Sequence, residues 1–181
     1  MIKDKKILVH SCCAPCSGSV FEKLAKDGYL IDSLFFNPNI YPLQEYERRR
    51  DELIRFSTHN KFKVIIKEDF SQWIEAVKDF ESEKEGGKRC EICFSIRLEE
   101  TAKYAKENNY DIFTTVLTVS PHKNSKVINE IGKSLQLKYG IDFLEADFKK
   151  NDGFKRSMEL SKLYDFYRQN YCGCKYSIKN K

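Results

Sequence analysis

The residues of this chain best equipped for chemistry are its seven cysteines, which fall into three groups. His10-Ser11-Cys12-Cys13-Ala14-Pro15-Cys16 holds three, Cys90-Glu91-Ile92-Cys93 two, and Cys172-Gly173-Cys174 the last two. Thiolates are soft ligands suited to iron–sulfur clusters, zinc or copper. In a reducing compartment, grouped cysteines more often bind metal or carry electrons than act as staples. Neighbouring cysteines on an irregular loop can turn their sulfurs toward one centre, and Pro15 stiffens that loop. The spacing of Cys90 and Cys93 is typical of paired metal ligands. Their position at a helix start would set positive backbone dipole beside thiolates.

Spacing alone leaves an iron–sulfur cluster, a four-cysteine zinc site and free buried thiols all open. A core of this size needs no metal staple, which weighs against zinc that only holds the fold together. Cys172 and Cys174, one residue apart, cannot easily grip one tetrahedral ion together. Gly173 permits the tight turn of a strained disulfide, and strained, exposed disulfides are the redox-active kind. The pair reads as an electron relay or thiol switch; the plainer alternative is a frayed tail carrying two incidental cysteines.

These groups must be positioned by the elements between them. Lys6–His10 reads as a short buried strand, followed by a loop from Ser11 to Ser17 and an amphipathic stretch to about Lys26 that Gly28 stops. A second strand, Ile31–Phe36, ends at the turn residues Asn37-Pro38-Asn39. Pro42–His59 reads as a long helix, Phe62–Ile66 as a third strand, and Phe70 to about Phe80 as a helix before a charged loop ending in Gly86-Gly87. The next helix is expected from near Cys93, with Leu98, Ala102 and Ala105 on one face. Asp111–Leu117 and Asp142–Glu145 are expected strands, with a helix at Val127–Tyr139 between them. In the last helix Leu160, Leu163, Tyr164 and Tyr167 fall at i, i+3, i+4 and i+7. Alternating strands and helices predict a three-layer α/β fold with a mainly parallel sheet, whose ligands bind beyond the carboxyl ends of the strands.

With 181 residues, 41% hydrophobic and 33% charged, the chain reads as one globular domain, 1–181, whose segment 170–181 carries the last cysteine pair. No apolar run approaches the length needed to span a bilayer. The start is too poor in apolar residues for a secretory signal, so a cytoplasmic protein without membrane contact is expected. A net charge of +5 is compatible with a polyanionic partner without requiring one.

Motif blocks in order along nearly the whole chain resemble the cobalamin-independent, cluster-dependent epoxyqueuosine reductases. They are H-S-C-C-A-P-C at 10–16, F-N-P-N-I-Y-P at 36–42 with E-Y-E-R-R at 45–49, R-C-E-I-C-F-S-I-R-L at 89–98, T-T-V-L-T-V-S-P-H-K at 114–123 and Y-R-Q-N-Y-C-G-C-K-Y-S at 167–177. The resemblance implies an adenine nucleotide α-hydrolase-like fold and a [4Fe–4S] cluster held by Cys12, Cys13, Cys90 and Cys93. It also implies a redox-active disulfide between Cys172 and Cys174. A further iron ion beside the cluster would draw on the first loop, where Cys16 is the natural ligand. Nucleotide-binding relatives of this architecture carry a glycine-rich S-G-G-x-D-S loop after the first strand; cysteines replace that glycine pair here, so no ATP dependence is expected.

The implied reaction removes the epoxide oxygen of epoxyqueuosine as water, at the wobble position of tRNA, with electrons from an unidentified donor. It needs a proton donor, and His10 and His122, each after an expected strand, are the first choices, with hydrogen-bonded loop histidines as the plainer reading. Asp111 and Tyr46 are weaker ones. For the RNA, Arg48, Arg49, Arg50, Lys123, Lys149, Lys150, Lys155 and Arg156 could meet phosphates, and Tyr41, Trp73 or Phe154 could stack on a base. Taken singly, each is more simply a solvated helix face or a core aromatic. Two rival readings use the same cysteines: a zinc-binding nucleic-acid module and a thiol–disulfide oxidoreductase.

Overall fold

The computed structural model describes residues 4–178, so the ends of the expected 1–181 domain and of its 170–181 tail lie outside the described residues. The strands are β1 (Lys6–His10), β2 (Leu30–Phe36), β3 (Lys63–Lys67), β4 (Ile112–Thr115) and β5 (Asp142–Phe143). They form one parallel sheet in the order β3-β2-β1-β4-β5. Ile7, Leu8 and Val9 are fully buried, as is Phe113, because a parallel sheet is covered on both faces and its central strands are apolar throughout. The helices α1 (Ala14–Lys26), α2 (Leu43–Asn60) and α6 (Gly153–Leu163) pack together, as do α3 (Phe70–Val77), α4 (Lys88–Glu107) and α5 (Ser125–Tyr139). The two groups flank the sheet as the outer layers. No helix among the described residues is long and apolar enough to cross a membrane.

The strand order reverses between β1 and β4, so the segments leaving their carboxyl ends run to opposite faces of the sheet and open a crevice, the usual ligand position in doubly wound sheets. The segments after β1 and β4 are the cysteine loop and Ser120–Lys123.

The boundaries differ from expectation where the chemistry lies. The first loop is only Ser11–Cys13, because α1 starts at Ala14, with Pro15 in its first turn where the missing N–H costs nothing. Cys16 is therefore helical. α4 starts at Lys88, five positions before Cys93: Gly87 caps it in extended conformation, and the Glu83 carboxylate accepts the Lys88 N–H at 3.2 Å. Cys90 and Cys93 thus lie one turn apart on one helix face. β4 stops at Thr115, whose hydroxyl accepts the Leu117 N–H and starts a tight 3₁₀ turn. α6 ends at Leu163, since Asp165 adopts a left-handed conformation (φ 50°) that turns Phe166 into the core. Tyr164 and Tyr167, expected in that helix, belong to the tail that follows.

Candidate metal and redox site

The sulfurs of Cys12, Cys13 and Cys16 lie within 4.8 Å of one another, with Cys12 Sγ and Cys13 Sγ 3.7 Å apart. The extended backbone of Cys13 (φ −175°, ψ 161°) caps α1 without a side-chain bond, leaving the helix's free N–H groups and positive end beside these thiols. Burial opposes ionisation at all three. Hydrogen bonds from Cys13 and Cys16 nonetheless hold Cys12 well below the ordinary thiol range, aided by Lys123 and Arg97. Its partners move the other way: giving a hydrogen bond to Cys12 raises Cys13 to about 11 and Cys16 well above its usual value. One thiolate is thus shared among three sulfurs.

Cys90 and Cys93 stand outside this trio. They line a cleft of about 110 Å³ together with Cys172 and Cys174. Cys12 and Cys16 line a second cleft of about 550 Å³. Glu85, Arg97, His122, Lys123 and Cys172 border both, so the clefts adjoin. The Gly86 N–H donates to Cys90 Sγ at 3.2 Å. Burial raises Cys93, partly offset by Arg97.

The tail reaches the site through Arg49. Its guanidinium, 1% exposed, holds Glu45 Oε1 at 2.7 Å and donates to the carbonyls of Cys172 (3.1 Å) and Tyr171 (3.4 Å). Tyr41 N–H binds Gly173 O at 2.8 Å, and Tyr167 Oη donates to Glu45 Oε2 at 3.0 Å. Gly173 sits at φ 112°, and a Cβ there would lie 3.0 Å from Arg49 Nη1. Only glycine meets both demands. Cys172 and Cys174 are free thiols here. A hydrogen bond from Cys174 lowers Cys172 to about 5, with help from Ser177 Oγ at 3.0 Å and from Lys123, while Cys174 is raised for donating it.

Several expectations for single residues change. His10 is fully buried, with Nδ1 3.0 Å from Thr115 Oγ1 and Nε2 3.2 Å from Phe36 O. Burial, with the nearby Arg97 charge, lowers it to about 3, so it is a neutral strut between strands and not a proton donor to either cleft. His122, exposed, borders both clefts. Arg49 is spent on Glu45 and the tail, which removes it as a phosphate contact. Arg50, Lys149 and Arg156 pair with Asp51, Asp147 and Glu22. Arg48 is exposed and lies over the Tyr167 ring, 3.4 Å from its centroid. Tyr46, donating to Glu68, and Asp111, accepting the Lys6 N–H, serve the fold.

Two residues of the site were missed. Arg97, 3% exposed, donates to Cys93 O at 3.2 Å and reaches Asn37 Oδ1 at 3.5 Å, while Asn37 Nδ2 donates to Ser11 O at 2.9 Å. One buried cation thereby ties α4 to the first cysteine loop. Gln169 Nε2 lies 3.2 Å from Cys13 Sγ. Both stand inside quoted motif blocks, and that position was the available signal.

The donor set fits an iron–sulfur cluster. Three soft sulfurs meet in the β1 loop and the first turn of α1, and those of α4 line the adjoining cleft. Among the described residues the buried Trp73 Nε1 and Arg89 Nε have no hydrogen-bond partner, and both residues border the Cys90–Cys93 cleft. N–H groups of this kind suit sulfide and thiolate acceptors, which tune such clusters.

A family model described as epoxyqueuosine reductase QueH matches residues 7–180. Among curated relatives bearing that name, one from Acinetobacter baylyi is 42% identical over 177 residues, covering 97% of this chain and 81% of its own. One from Streptococcus pyogenes is 42% identical (96% and 70% covered), and one from Thermotoga maritima 40% identical (95% and 90%). Two solved structures share the fold, in keeping with the expected adenine nucleotide α-hydrolase-like architecture. The U34-tRNA thiolase NcsA from Methanococcus maripaludis, determined with its [4Fe–4S] cluster, has a TM-score of 0.61 at 14% identity, covering 98% of this chain and 63% of that one. A predicted tRNA methyltransferase subunit from Methanocaldococcus jannaschii has a TM-score of 0.55 at 18% identity (86% and 75%). Matched end to end by the family model and by relatives far above 30% identity, the chain belongs to the epoxyqueuosine reductase QueH family.

Proposed function

We propose that this protein reduces epoxyqueuosine in tRNA to queuosine, removing the epoxide oxygen as water at a cysteine-bound iron–sulfur site. The observation that carries the reading is the convergence of all three cysteine groups on two adjoining clefts at the switch point of the sheet. Neither rival reading, zinc module or disulfide exchanger, accounts for the ordered motif blocks or for the family match over residues 7–180.

Cys12, Cys13, Cys90 and Cys93 would hold the cluster, leaving Cys16 for a further iron. Bound there, the cluster supplies single electrons to the substrate. The protein's own groups do the rest. Opening the epoxide to an alkene consumes two electrons and two protons and releases one water. Oxidation of the Cys172 and Cys174 thiols to a disulfide releases two electrons and two protons, so one turnover balances one dithiol. An external donor must then restore the thiols. Arg49 holds that pair in place, while Lys123, beside Cys12 and Cys172, stabilises negative charge on both sulfurs. His122, at the rim of both clefts, is placed to pass a proton from solvent. The wobble base must leave the anticodon stack to reach this depth, which a single-stranded loop allows. Arg48 and Lys155 are exposed and free of ion pairs among the described residues, and they serve phosphates.

The test combines iron and sulfide content of anaerobically purified protein with conversion of epoxyqueuosine-containing tRNA. About four irons and four sulfides, a band near roughly 400 nm bleached by dithionite, and loss of both cluster and turnover in Cys90→Ser are expected. Zinc without sulfide after anaerobic reconstitution, or full turnover without a cluster, rejects the reading.

A further inference from the structure

Three buried polar groups around the smaller cleft lack a hydrogen-bond partner among the described residues: Trp73 Nε1, Arg89 Nε and Asn39 Oδ1. Two of them are donors, and both side chains are held in place. Trp73, 3% exposed, stands on α3, which Asp69 caps by accepting the N–H groups of Ser71 and Gln72 at 3.1 and 3.4 Å. Its ring packs against Tyr176, with 6.2 Å between centroids. Tyr176 is fixed in turn by the Arg89 guanidinium, 4.8 Å from its ring centroid, and by its bond to the Glu81 carboxylate. Arg89, also 3% exposed, spends Nη1 on the carbonyls of Phe80, Glu81 and Glu83.

Buried donors rarely stay unbonded, because each has given up water for nothing. The Trp73 indole already acts on one acceptor of the cleft. At Cys93 burial raises the thiol, while Arg97 and the Trp73 N–H oppose it. A neutral thiol is a weak acceptor, and the bond is not closed. A thiolate takes a shorter, stronger bond from the same donor. The competing use of the N–H is a water bridge to Asn39 Oδ1; the indole's effect on Cys93 favours the sulfur. An electron added to a cluster makes it more negative, so a donor to one of its thiolates favours the reduced state. We infer that Trp73 donates its indole N–H to the Cys93 thiolate of the bound cluster and raises the cluster's reduction potential. The inference rests on the cluster proposed above and adds a residue that sets how readily electrons enter it. Cys172 and Cys174, the expected relay, border the same cleft.

The experiment measures the midpoint potential of anaerobically reconstituted wild type and Trp73→Phe, by poised titration of the visible band. Trp73→Phe keeps an aromatic ring in the pocket and removes the donor. At a fixed potential its ratio of reduced to oxidised cluster should fall about tenfold, which is about 59 mV for one electron. A substitution that only admitted water would shift the midpoint the other way, because solvent also favours the more negative state. An unchanged or raised midpoint therefore overturns the inference, and leaves the function standing where wild type holds its cluster and converts the tRNA. Trp73 is the single tryptophan of the sequence, so isotope labelling of indole nitrogen reports on it alone without any substitution. Electron–nuclear double resonance on the reduced wild-type cluster should show coupling to that nitrogen and to an exchangeable proton. Absence of both couplings overturns the inference, including where Trp73→Phe fails to hold a cluster. A wild type that takes up no iron and sulfide on reconstitution removes the proposed function, and the inference with it.

Discussion

Arg49→Ala probes the link between the tail and the rest of the site. The side chain is 1% exposed, its guanidinium contacts Glu45 at 2.7 Å and two carbonyls of the tail, and Glu45 is itself 9% exposed. Removing one member of a buried pair strands the other, at a cost of about 3–5 kcal/mol. Tyr167 Oη still bonds Glu45, which keeps the loss toward the lower end. At about 2–4 °C per kcal/mol for a chain of this size, the unfolding midpoint should fall on the order of 10 °C. The damage should also be local. Hydrogen exchange should accelerate across residues 167–178, where the tail loses two of its anchors, while β1 stays protected. Arg49→Lys should recover only part of the stability, because an ammonium lacks the planar fork that spans a carboxylate and two carbonyls. Glu45→Gln combined with Arg49→Ala should be milder than the two single losses summed. A midpoint drop under about 2 °C with unchanged tail exchange would refute the assignment of Arg49 as the clamp.

Two further predictions concern ionisation. Cys172, held at about 5 and less buried than Cys12, the other lowered thiol, should be the fastest to alkylate in metal-free protein at pH 6–7, with a rate that falls as pH drops through its pKa; mass-spectrometric mapping showing Cys174 labelled first would contradict the geometry. His10 is neutral when folded, at about 3, but titrates near 6.5 when unfolded, so its contribution is full above pH 6.5 and is lost progressively as pH falls toward 3. Between pH 6.5 and 4.5 that amounts to about 2–3 kcal/mol, and His10→Gln should remove this part of the acid dependence in urea unfolding. Parallel pH profiles for wild type and variant would dismiss it.

The legible parts of this protein were local. Apolar runs such as Ile7-Leu8-Val9 could only be buried strands in a covered sheet, whereas Pro15 and Gly87, which lie at the true helix starts, read as loop residues in the sequence, because a proline or glycine signals a loop and a helix start equally well. The parallel fold followed from alternation, and the crevice from the fold. Illegible were the partners that only tertiary structure supplies. Nothing in Glu45-Tyr46-Glu47-Arg48-Arg49 says which arginine faces water, because helical position relative to a distant tail decides it. Arg49 meets residues 122 and 123 positions away. His10 looked like a catalytic imidazole for the same reason: type and position suggested a proton donor, while Thr115 and Phe36, brought in by β4 and β2, made it a strut.

The buried arginines follow one electrostatic logic. Thiolates taken out of water are costly, and several in one place repel. Arg97 acts on Cys12 and Cys93, Arg49 on Cys12 and Cys13, and Lys123 on Cys12 and Cys172. Each cation therefore faces sulfurs from more than one position, and two of the three are anchored by backbone carbonyls. This chain thus surrounds its sulfurs with cationic side chains from α2, α4 and the segment after β4. Cations committed to thiolates in this way have little left for RNA phosphate, so under the proposed function the phosphate contacts would fall to exposed residues such as Arg48.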